Sequence, residues 1–465
     1  MYNQLTMKQV RTRIAPSPTG YPHIGTVYQV LFDYAYARKY DGKFILRIED
    51  TDRARFVDGA EEVIYSALDW FSLSPDESPL HQGEYGPYRQ SERLPIYRKH
   101  ADELIEKNHA YLCFCTKERL EEMRKGMEQR HEMPMYDRKC RSLSPEEIKN
   151  QLAANVPHVI RMKIPDDRKI VLDDLIMGKI EVDASTVDDQ VIVKSDGFPT
   201  YHLGVVVDDH LMEITHVFRG REWVSSTPKH ILLYEYFGWE MPIHAHLPLI
   251  LNSDGKGKLS KRHGHASVDY YRDGGYLPEA VLNYLSNIVW NHPEGKEIYS
   301  LHEFIELFEM SQITSQGARF DLQKLSWMNQ QYMQNLSDED LSSRLREYTK
   351  KDFDEDILRS LMPLVKTRMQ TLKEFEDITK WIFENPNVAP RNENEKDITR
   401  YLLAALDELS DWNAASILLV FKAALEKFGV KMSVLYYIFT GNERGLPLPD
   451  ALAILPKTEV IDRLQ

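Results

Sequence analysis

Short apolar runs alternate with longer amphipathic runs in the first part of the chain. Residues 11–15 and 43–48 mix β-branched and apolar residues with long polar ones, as short strands do. Residues 27–40 and 59–71 repeat apolar side chains every three or four positions, which is the spacing of a helix face. Strands that alternate with helices in this way predict an α/β layered domain.

Residues 94–187 interrupt this alternation. A helical run at 97–108 is followed by strand patterns at 156–164, 169–173 and 179–183. The order of these elements predicts an α+β segment inserted into the α/β domain.

The α/β pattern resumes at residue 188 and gives way to helices further on. Residues 203–207 are apolar on both faces, which is typical of a central parallel strand. From residue 267 onward nearly all apolar runs have helical spacing. The last part of the chain is therefore predicted to be helical.

Composition narrows the class of protein. A chain of 465 residues is longer than one typical domain. No apolar run approaches the roughly twenty residues that a membrane-spanning helix needs, and the first ten residues lack the apolar core of a signal peptide. Three cysteines cannot all pair with one another. We therefore expect a cytoplasmic protein with no membrane association.

The formal net charge of −14 argues against a general nucleic-acid coat protein, because a polyanion is repelled at long range. It leaves room for a local basic track that binds one specific RNA.

The first candidate site is the turn at residues 17–26, between a predicted strand and a predicted helix. Its prolines and Gly20 cannot continue either element, so His23 and Gly25 stand at the helix entrance. Free backbone N–H groups and the helix dipole make such an entrance suitable for a phosphate. Gly25 permits close approach, and His23 can donate to a phosphate oxygen. An ordinary turn with a solvated histidine explains the same residues.

Two further stretches contain candidate chemistry. Lys258 and Lys261 lie on a glycine-rich loop, and a lysine pair suits a polyphosphate whose charge moves during reaction. Glu49 follows a predicted strand, where open α/β sheets place ligand-binding groups, and its carboxylate can hold an ammonium group. Taken singly, a solvated basic loop and a surface ion cluster explain these two stretches.

The motifs as a set resemble a known family. RIAPSPTG at 13–20, followed by HIGT at 23–26, is similar to the first signature of class I aminoacyl-tRNA synthetases, and KLSKR at 258–262 resembles their lysine loop, usually written KMSKS. Together with RIEDTDR at 47–53 and PTYHLGVVVDDH at 199–210, the set resembles the bacterial-type glutamyl-tRNA synthetases. The similarity extends from residue 11 into the C-terminal helices. Thr26 and Leu259 replace the His and Met of the general signatures, as is common in this family.

The resemblance implies an α/β fold: a class I Rossmann-like catalytic domain with an inserted α+β acceptor-binding domain, followed by all-helical stem-contact and anticodon-binding domains. The expected boundaries are 1–93 with 188–245 for the catalytic domain, 94–187 for the inserted domain, 246–330 for the stem-contact domain that includes the lysine loop, and 331–465 for the anticodon-binding domain.

The implied activity is that of a glutamate–tRNA ligase. L-Glutamate is activated by ATP, accompanied by Mg²⁺, to glutamyl-adenylate and is then transferred to the 2′-hydroxyl of the terminal adenosine of tRNA(Glu). The attacking α-carboxylate is already ionised at neutral pH, so alignment and charge stabilisation suffice and no general base is needed. The resemblance also implies a monomer.

The resemblance assigns site residues as follows. The groups expected to act on the phosphates in catalysis are His23, Lys258 and Lys261. The expected ATP site comprises Pro18, Thr19, Gly20, His23, Gly25, Lys258, Ser260 and Lys261. The expected glutamate site comprises Arg13, Ala15, Ser17, Glu49, Tyr201, Arg219 and Trp223. Arginines suit this substrate because their planar fork matches a carboxylate with two hydrogen bonds.

The cysteines pose a separate question. Cys113, Cys115 and Cys140 supply three ligands for Zn²⁺, and a structural zinc site needs four. Ser142 stands where related bacterial enzymes have a histidine ligand. Tyr136 is the replacement that the spacing favours, because Y-x-x-x-C resembles the site of a shorter related protein, and His131 is a looser candidate. Three reduced thiols without metal are the alternative.

Two other functions fit the same motifs. One is the shorter paralogue that transfers glutamate to a queuosine base of tRNA, which lacks an anticodon-binding part. The other is a non-catalytic tRNA-binding protein of the same fold. The long helical continuation argues against the first, and the intact His23 and Lys258 argue against the second. Glutaminyl-tRNA synthetase is disfavoured because its C-terminal part is a β-barrel, whereas the region after Leu336 shows helical periodicity.

Overall fold

The computed structural model describes residues 8–20, 22–255, 257–259 and 264–465. The chain forms two compact units. The first unit consists of Met1–Val268 and Leu285–Phe320, and the second consists of Asp269–Tyr284 and Asp321–Gln465.

The strands are β1 Arg11–Ile14, β2 Lys43–Leu46, β3 Ala110–Cys113, β4 Val159–Met162, β5 Lys169–Asp174, β6 Gly178–Asp183, β7 Val191–Val193, β8 His216–Gly220, β9 Ile243–Leu247, β10 Ile250–Leu251 and β11 Ala318–Arg319. The helices are α1 Ile24–Lys39, α2 Ala60–Trp70, α3 Leu94–Glu106, α4 Lys117–Gln129, α5 Pro145–Ala153, α6 Tyr201–Leu211, α7 Thr227–Phe237, α8 Val268–Asp273, α9 Pro278–Asn287, α10 Leu301–Leu307, α11 Leu322–Asn335, α12 Asp338–Thr349, α13 Glu355–Val365, α14 Glu374–Phe383, α15 Glu393–Asp407, α16 Ala414–Phe428, α17 Met432–Thr440, α18 Leu448–Ile454 and α19 Lys457–Asp462.

Parallel strands form the centre of the first unit. β1 pairs in parallel with β2, and β8 pairs in parallel with β9. The Thr215 N–H, just before β8, donates to the Arg11 carbonyl at 3.0 Å, so β1 and β8 begin side by side. The predicted α/β pattern is therefore observed. Most of the candidate site residues lie in β1 and β8 or in the segments that follow β1, β2 and β8, while Tyr201 begins α6 and Lys258 follows β10.

Residues 203–207 are part of helix α6, and the prediction of a central strand there is wrong. The Gly204 N–H donates to the Thr200 carbonyl at 3.1 Å, which begins the helix. Leu203 and residues 205–207 are each at most 3% exposed, so this stretch of the helix is apolar on all sides because it is buried on all sides. An all-apolar pattern of this kind is the same for a buried strand and a buried helix.

The segment 94–187 contains the predicted strands and joins the central sheet. β3, β4 and β7 form an antiparallel three-stranded sheet. β5 and β6 form an antiparallel hairpin, and β5 also meets β9 in parallel at the pair Asp174–His244. The resulting sheet order is β6–β5–β9–β8, so the hairpin extends the sheet beside the candidate site.

Helices α12–α19 of the second unit enclose one apolar core. The prediction of helices after residue 267 is confirmed in the described part of the chain, with the two-residue strand β11 as an exception. No helix of the described residues is long and apolar enough to cross a membrane. Fully buried members of the core include Leu341, Leu358, Phe375, Ile398, Phe421 and Leu435.

Candidate active site

Two adjoining cavities lie next to β1, β2 and β8 of the first unit. The larger has a volume of about 630 Å³ and the smaller about 490 Å³. His23, Thr26, Gln29 and Trp223 line both, so the cavities form one continuous cleft with two compartments.

Most of the predicted site residues meet in this cleft. The larger compartment is lined by Arg13, Ala15, Ser17, Thr19, Gly20, His23, Glu49, Tyr201, Arg219 and Trp223. The smaller one is lined by His23, Gly25, Trp223 and Lys258. Pro18 lines neither, and its carbonyl accepts the Val57 N–H at 3.0 Å. Ser260 and Lys261 lie outside the described residues.

His23 caps helix α1. Its backbone is extended, with φ −87° and ψ 143°, and its Nδ1 accepts the Gly25 N–H at 2.9 Å. Because Nδ1 is the acceptor, the neutral ring has its proton on Nε2, and this is the donor that a phosphate oxygen needs. A Cβ at Gly25 would lie 3.0 Å from His23 Nδ1, so a larger residue there would press on the ring.

Arg219 is buried among neutral acceptors. Its Nε donates to His246 Nε2 at 3.0 Å, and its Nη2 donates to Thr227 Oγ1 at 2.6 Å. Its Nη1 lies 3.3 Å from the Tyr201 hydroxyl and 3.2 Å from His230 Nδ1. Among the described residues no carboxylate forms an ion pair with this guanidinium, and burial lowers its pKa. In the described part of the chain, the positive charge therefore has hydrogen-bond acceptors but no carboxylate in direct contact.

Arg13, in contrast, is neutralised inside the protein. Its Nε and Nη2 donate to the two carboxylate oxygens of Asp209 at 3.1 and 3.2 Å. Arg47 also binds Asp209, at 2.8 Å, and lies 3.4 Å from Glu49. Burial raises the pKa of Glu49 to about 7, against the opposing effect of Arg47 and Arg13. A further cation in the cleft would therefore stabilise the ionised form of Glu49.

The buried acids of helix α6 were not predicted from the sequence. Asp208 accepts hydrogen bonds from Arg93 at 2.7 Å and from Tyr97 at 2.8 Å, while Asp209 holds Arg13. Once the segment is read as a helix, the spacing of seven residues from Tyr201 to Asp208 places both on one face. This spacing is the feature of the sequence from which the position of Asp208 could have been predicted.

Lys258 and Glu222 form an ion pair at the edge of the smaller compartment. Glu222 was not among the predicted site residues. It lies two residues after the end of β8 and next to Trp223 in the chain, and that position could have indicated that it lies beside the cleft. The larger compartment also includes Asp52, Arg55 and Lys194, none of which was predicted to belong to it.

The three thiols form a second, separate cluster. The Sγ atoms of Cys113, Cys115 and Cys140 all lie within 4.8 Å of one another. The Tyr136 hydroxyl oxygen lies 3.4 Å from Cys113 Sγ and 3.3 Å from Cys115 Sγ. A tetrahedral zinc site has sulfur–sulfur edges of about 3.8 Å and sulfur–oxygen edges of about 3.5 Å. The three thiols are therefore close enough to hold such an ion, and the Tyr136 hydroxyl lies at the distance of a fourth ligand from two of them. His131 is not a member of the cluster.

Comparison with known proteins identifies the family. Residues 9–327 match the model "tRNA synthetases class I (E and Q), catalytic domain", and residues 330–465 match "Anticodon binding domain". The glutamate–tRNA ligase of Protochlamydia amoebophila is 45% identical over 98% of this chain and 93% of that protein. The chain belongs to the glutamate–tRNA ligases. The ligase of Cellvibrio japonicus is 43% identical over 97% of this chain and 91% of its own length.

Solved structures agree with this assignment. A glutamate tRNA ligase from Elizabethkingia meningosepticum, crystallised in complex with its amino acid, has a TM-score of 0.88 and 38% identity over 98% of both chains. A glutamate-tRNA synthetase from Elizabethkingia anophelis has a TM-score of 0.86 and 38% identity over 98% of this chain and 99% of that one. The ligase thus has a class I catalytic domain followed by an anticodon-binding domain, and the predicted resemblance is confirmed.

Proposed function

We propose that the ligase activates L-glutamate with ATP and transfers the glutamyl group to the 2′-hydroxyl of the 3′-terminal adenosine of tRNA(Glu). The observation that carries the proposal is the buried Arg219, whose charge has no direct carboxylate partner among the described residues. The larger compartment, which Arg219 lines, continues into the smaller one beside the N-terminus of helix α1, and a helix N-terminus is suited to bind phosphate.

The substrate fits the larger compartment in one direction. Its α-carboxylate reacts with ATP, so it must face the smaller compartment and cannot be held against a buried guanidinium. The γ-carboxylate therefore binds Arg219, which is 3% exposed. Glu49 binds the ammonium group, and Arg13 adds positive potential beside its partner Asp209. Ala15, Ser17, Tyr201 and Trp223 form the walls.

ATP binds with its phosphates at the entrance of helix α1. The α-carboxylate oxygen attacks the α-phosphorus, a new O–P bond forms, and the bond to pyrophosphate breaks with its electron pair on the leaving group. His23 and Lys258 stabilise the phosphate charge, while Gly25 permits close approach. Mg²⁺ bound to ATP supplies additional neutralisation of that charge. By family resemblance, Pro18, Thr19, Gly20, Ser260 and Lys261 belong to this site as well. Thr19 and Gly20 line the larger compartment, which His23 also lines, so the ATP phosphates would extend to the boundary between the two compartments.

The activity test is glutamate-dependent exchange between ATP and pyrophosphate, measured with and without tRNA(Glu). Exchange that requires both glutamate and tRNA supports the proposal, since this family is expected to need tRNA to order its site. Exchange without tRNA favours the tRNA-modifying paralogue, although the match of residues 330–465 to an anticodon-binding model weighs against it. Absence of exchange from folded protein favours a binding function without catalysis.

We also propose the domain roles given by the resemblance. Residues 1–93 and 188–245 perform activation, 94–187 bind the acceptor end, 246–330 contact the stem and 331–465 read the anticodon. The ligase is expected to act as a monomer in the cytoplasm, which gel filtration and cell fractionation would test.

We expect kcat/KM for glutamate to depend on pH through the ionisation of Glu49. Its carboxyl has a pKa raised to about 7 by burial, and only the ionised form binds an ammonium group. Below pH 7 the ionised fraction falls about tenfold per pH unit, so kcat/KM for glutamate should fall at the same rate. Exchange kinetics between pH 5.5 and 8.5 would measure this. Glu49→Gln should have low activity without that slope, and an unchanged slope in this variant would contradict the assignment.

Zinc is proposed at the thiol cluster, with Cys113, Cys115, Cys140 and Tyr136 as ligands. The Arg161 guanidinium lies 4.0 Å from the centre of the Tyr136 ring, which suits a site with several negative ligands. Such an ion would hold α4 and the turn around Cys140 to strand β3.

Purified ligase should contain about one zinc per chain, because the four donors suffice for a closed structural site. Cys115→Ser should lose most of it and shift thermal unfolding to lower temperature. Elemental analysis and calorimetry would measure both. Ser142→Ala is the control: its hydroxyl donates to the Lys139 carbonyl at 3.3 Å, so zinc content should stay unchanged. A metal-free wild type with normal stability would favour three reduced thiols.

A further inference from the structure

A buried carboxylate and a buried histidine stand behind Arg219. Asp174 Oδ2 lies 2.6 Å from His246 Nδ1, and both side chains are 0% exposed. Oδ1 of the same carboxylate accepts the backbone N–H groups of Ile176 at 3.0 Å and Met177 at 2.9 Å. Burial opposes ionisation of Asp174, but its hydrogen bonds, led by that with His246, keep its pKa below the usual value. The carboxylate is therefore fixed in place and ionised.

This carboxylate determines the tautomer of His246. An ionised carboxylate only accepts hydrogen bonds, so the proton of the neutral ring must be on Nδ1. Burial lowers the pKa of His246, which keeps the ring neutral. Its Nε2 is then a bare acceptor, and it receives the Arg219 Nε–H at 3.0 Å. The opposite tautomer would direct an N–H group against the guanidinium.

The ring separates the negative charge from the positive one. Arg13 shows the alternative, because its guanidinium meets Asp209 directly and is neutralised. At Arg219 the neutral ring of His246 accepts the hydrogen bond. Asp174 lies on the other side of that ring and does not contact the guanidinium. The guanidinium is thus held in one orientation, and its positive charge stays available to bind an anion.

We propose that Asp174 and His246 are positioning residues that hold Arg219 ready for the γ-carboxylate of glutamate and make the site reject glutamine. This inference rests on the proposed function. A glutamine amide brings no charge, and its NH₂ group would face the N–H donors of Arg219. A near-isosteric substrate is rejected most strongly when its binding leaves a buried donor or charge of the site without a partner.

Asp174 belongs to strand β5, inside the segment 94–187 that we assign to acceptor binding. The inserted segment therefore contributes a side chain that acts on the glutamate compartment, through the contact of β5 with β9.

The first test is Asp174→Asn, with tRNA(Glu) present in the exchange assay. The amide oxygen should keep accepting the backbone N–H groups of residues 176 and 177, so the NH₂ group faces His246 Nδ1 and forces the ring proton to Nε2. The backbone N–H of His246 lies 3.1 Å from Oδ2 and 3.3 Å from Oδ1, so in this variant it must rely on the amide oxygen. KM for glutamate should rise about 10–100-fold, as expected for a weakened charged hydrogen bond, while KM for ATP stays within a few-fold. The preference for glutamate over glutamine should fall by a similar factor.

The matched control is Glu303→Gln. Glu303 Oε1 lies 3.1 Å from His292 Nε2, so this is also a carboxylate–histidine pair in the first unit, and it lines neither compartment. Its kinetic constants should equal those of the wild type. A rescue variant, Asp174→Asn with His246→Gln, restores an acceptor for Arg219 and should recover part of the glutamate affinity. A role limited to packing would give no rescue.

Nitrogen NMR of histidine-labelled wild type measures the tautomer directly in the unmodified site. The His246 signals, identified with His246→Gln, should show a protonated Nδ1 and a bare Nε2. A protonated Nε2 would overturn the inference, as would an Asp174→Asn ligase with unchanged KM and selectivity. Wild type without any glutamate-dependent exchange would instead overturn the proposed function and leave the tautomer result standing.

Discussion

Replacing Arg219 with glutamine should lower kcat/KM for glutamate activation by about 10²–10³-fold. The guanidinium is 3% exposed and is surrounded by neutral acceptors, so the γ-carboxylate would lose the cation that we propose binds it directly. Truncating one partner of a buried, hydrogen-bonded charge pair costs about 2–5 kcal/mol, which corresponds to this range. Glutamate-dependent exchange over a range of glutamate concentrations would measure the loss.

The pattern of the loss is as informative as its size. Most of the effect should appear in KM for glutamate, and discrimination against glutamine should collapse. Arg168→Gln is a matched control, because Arg168 pairs with Glu235 at 2.9 Å on the exposed surface of the same unit, where such pairs contribute little. An Arg219→Gln enzyme that still prefers glutamate strongly would show that another residue reads the γ-carboxylate.

Replacing Lys258 with alanine should lower kcat for activation by about 10²–10³-fold, as removal of a preorganised transition-state donor does in other enzymes. Its ammonium group stands at the compartment assigned to the phosphates, where negative charge shifts toward pyrophosphate. KM for glutamate should change little, because Lys258 does not line the larger compartment. Pre-steady-state measurement of adenylate formation would isolate this step.

Glu222 provides the comparison for Lys258. The two residues are ion-paired, so Glu222→Gln removes the partner and keeps the lysine. This variant should retain kcat within a few-fold. Equal losses in both variants would mean that the pair matters as a structural contact and that Lys258 does not stabilise the phosphates. The resemblance predicts an effect like that of Lys258→Ala for Lys261→Ala, with a far larger loss of activation rate than of glutamate binding.

Sequence was sufficient where the site depends on one continuous stretch. The turn at 17–26 joins a strand to a helix, so its residue types alone placed His23 at the helix entrance, where it caps α1. Glu49 was predicted to be near the ligand because it follows β2, and strand ends are where open α/β sheets bind. Arg219 and Trp223 were assigned to the site by the family resemblance. Glu49, Arg219 and Trp223 do line the larger compartment.

Sequence was insufficient where the site depends on pairs that are far apart in the chain. Arg13 and Asp209 are separated by 196 positions, and Asp174 and His246 by 72. No local pattern indicates which acid neutralises which arginine. Yet the pairing of Arg13 with Asp209 is the reason that Arg219, and not Arg13, has its positive charge available for the substrate. The strand predicted at 203–207 increased the error, since it hid the helix that buries Asp208 and Asp209.

The division of the chain into units has a consequence for how such ligases can recombine. Residues 269–284 belong to the second unit, although they precede the last part of the first. Leu277 and Ala280 pack in the same apolar core as helices α12–α19, and the Leu277 N–H donates to Asn329 Oδ1 at 2.8 Å. A crossover between two genes at the boundary between residues 327 and 330 would take the helical core from one parent. Residues 269–284, which pack in that core, would then come from the other parent. Inheritance of the anticodon-reading part as a unit therefore requires two segments to move together.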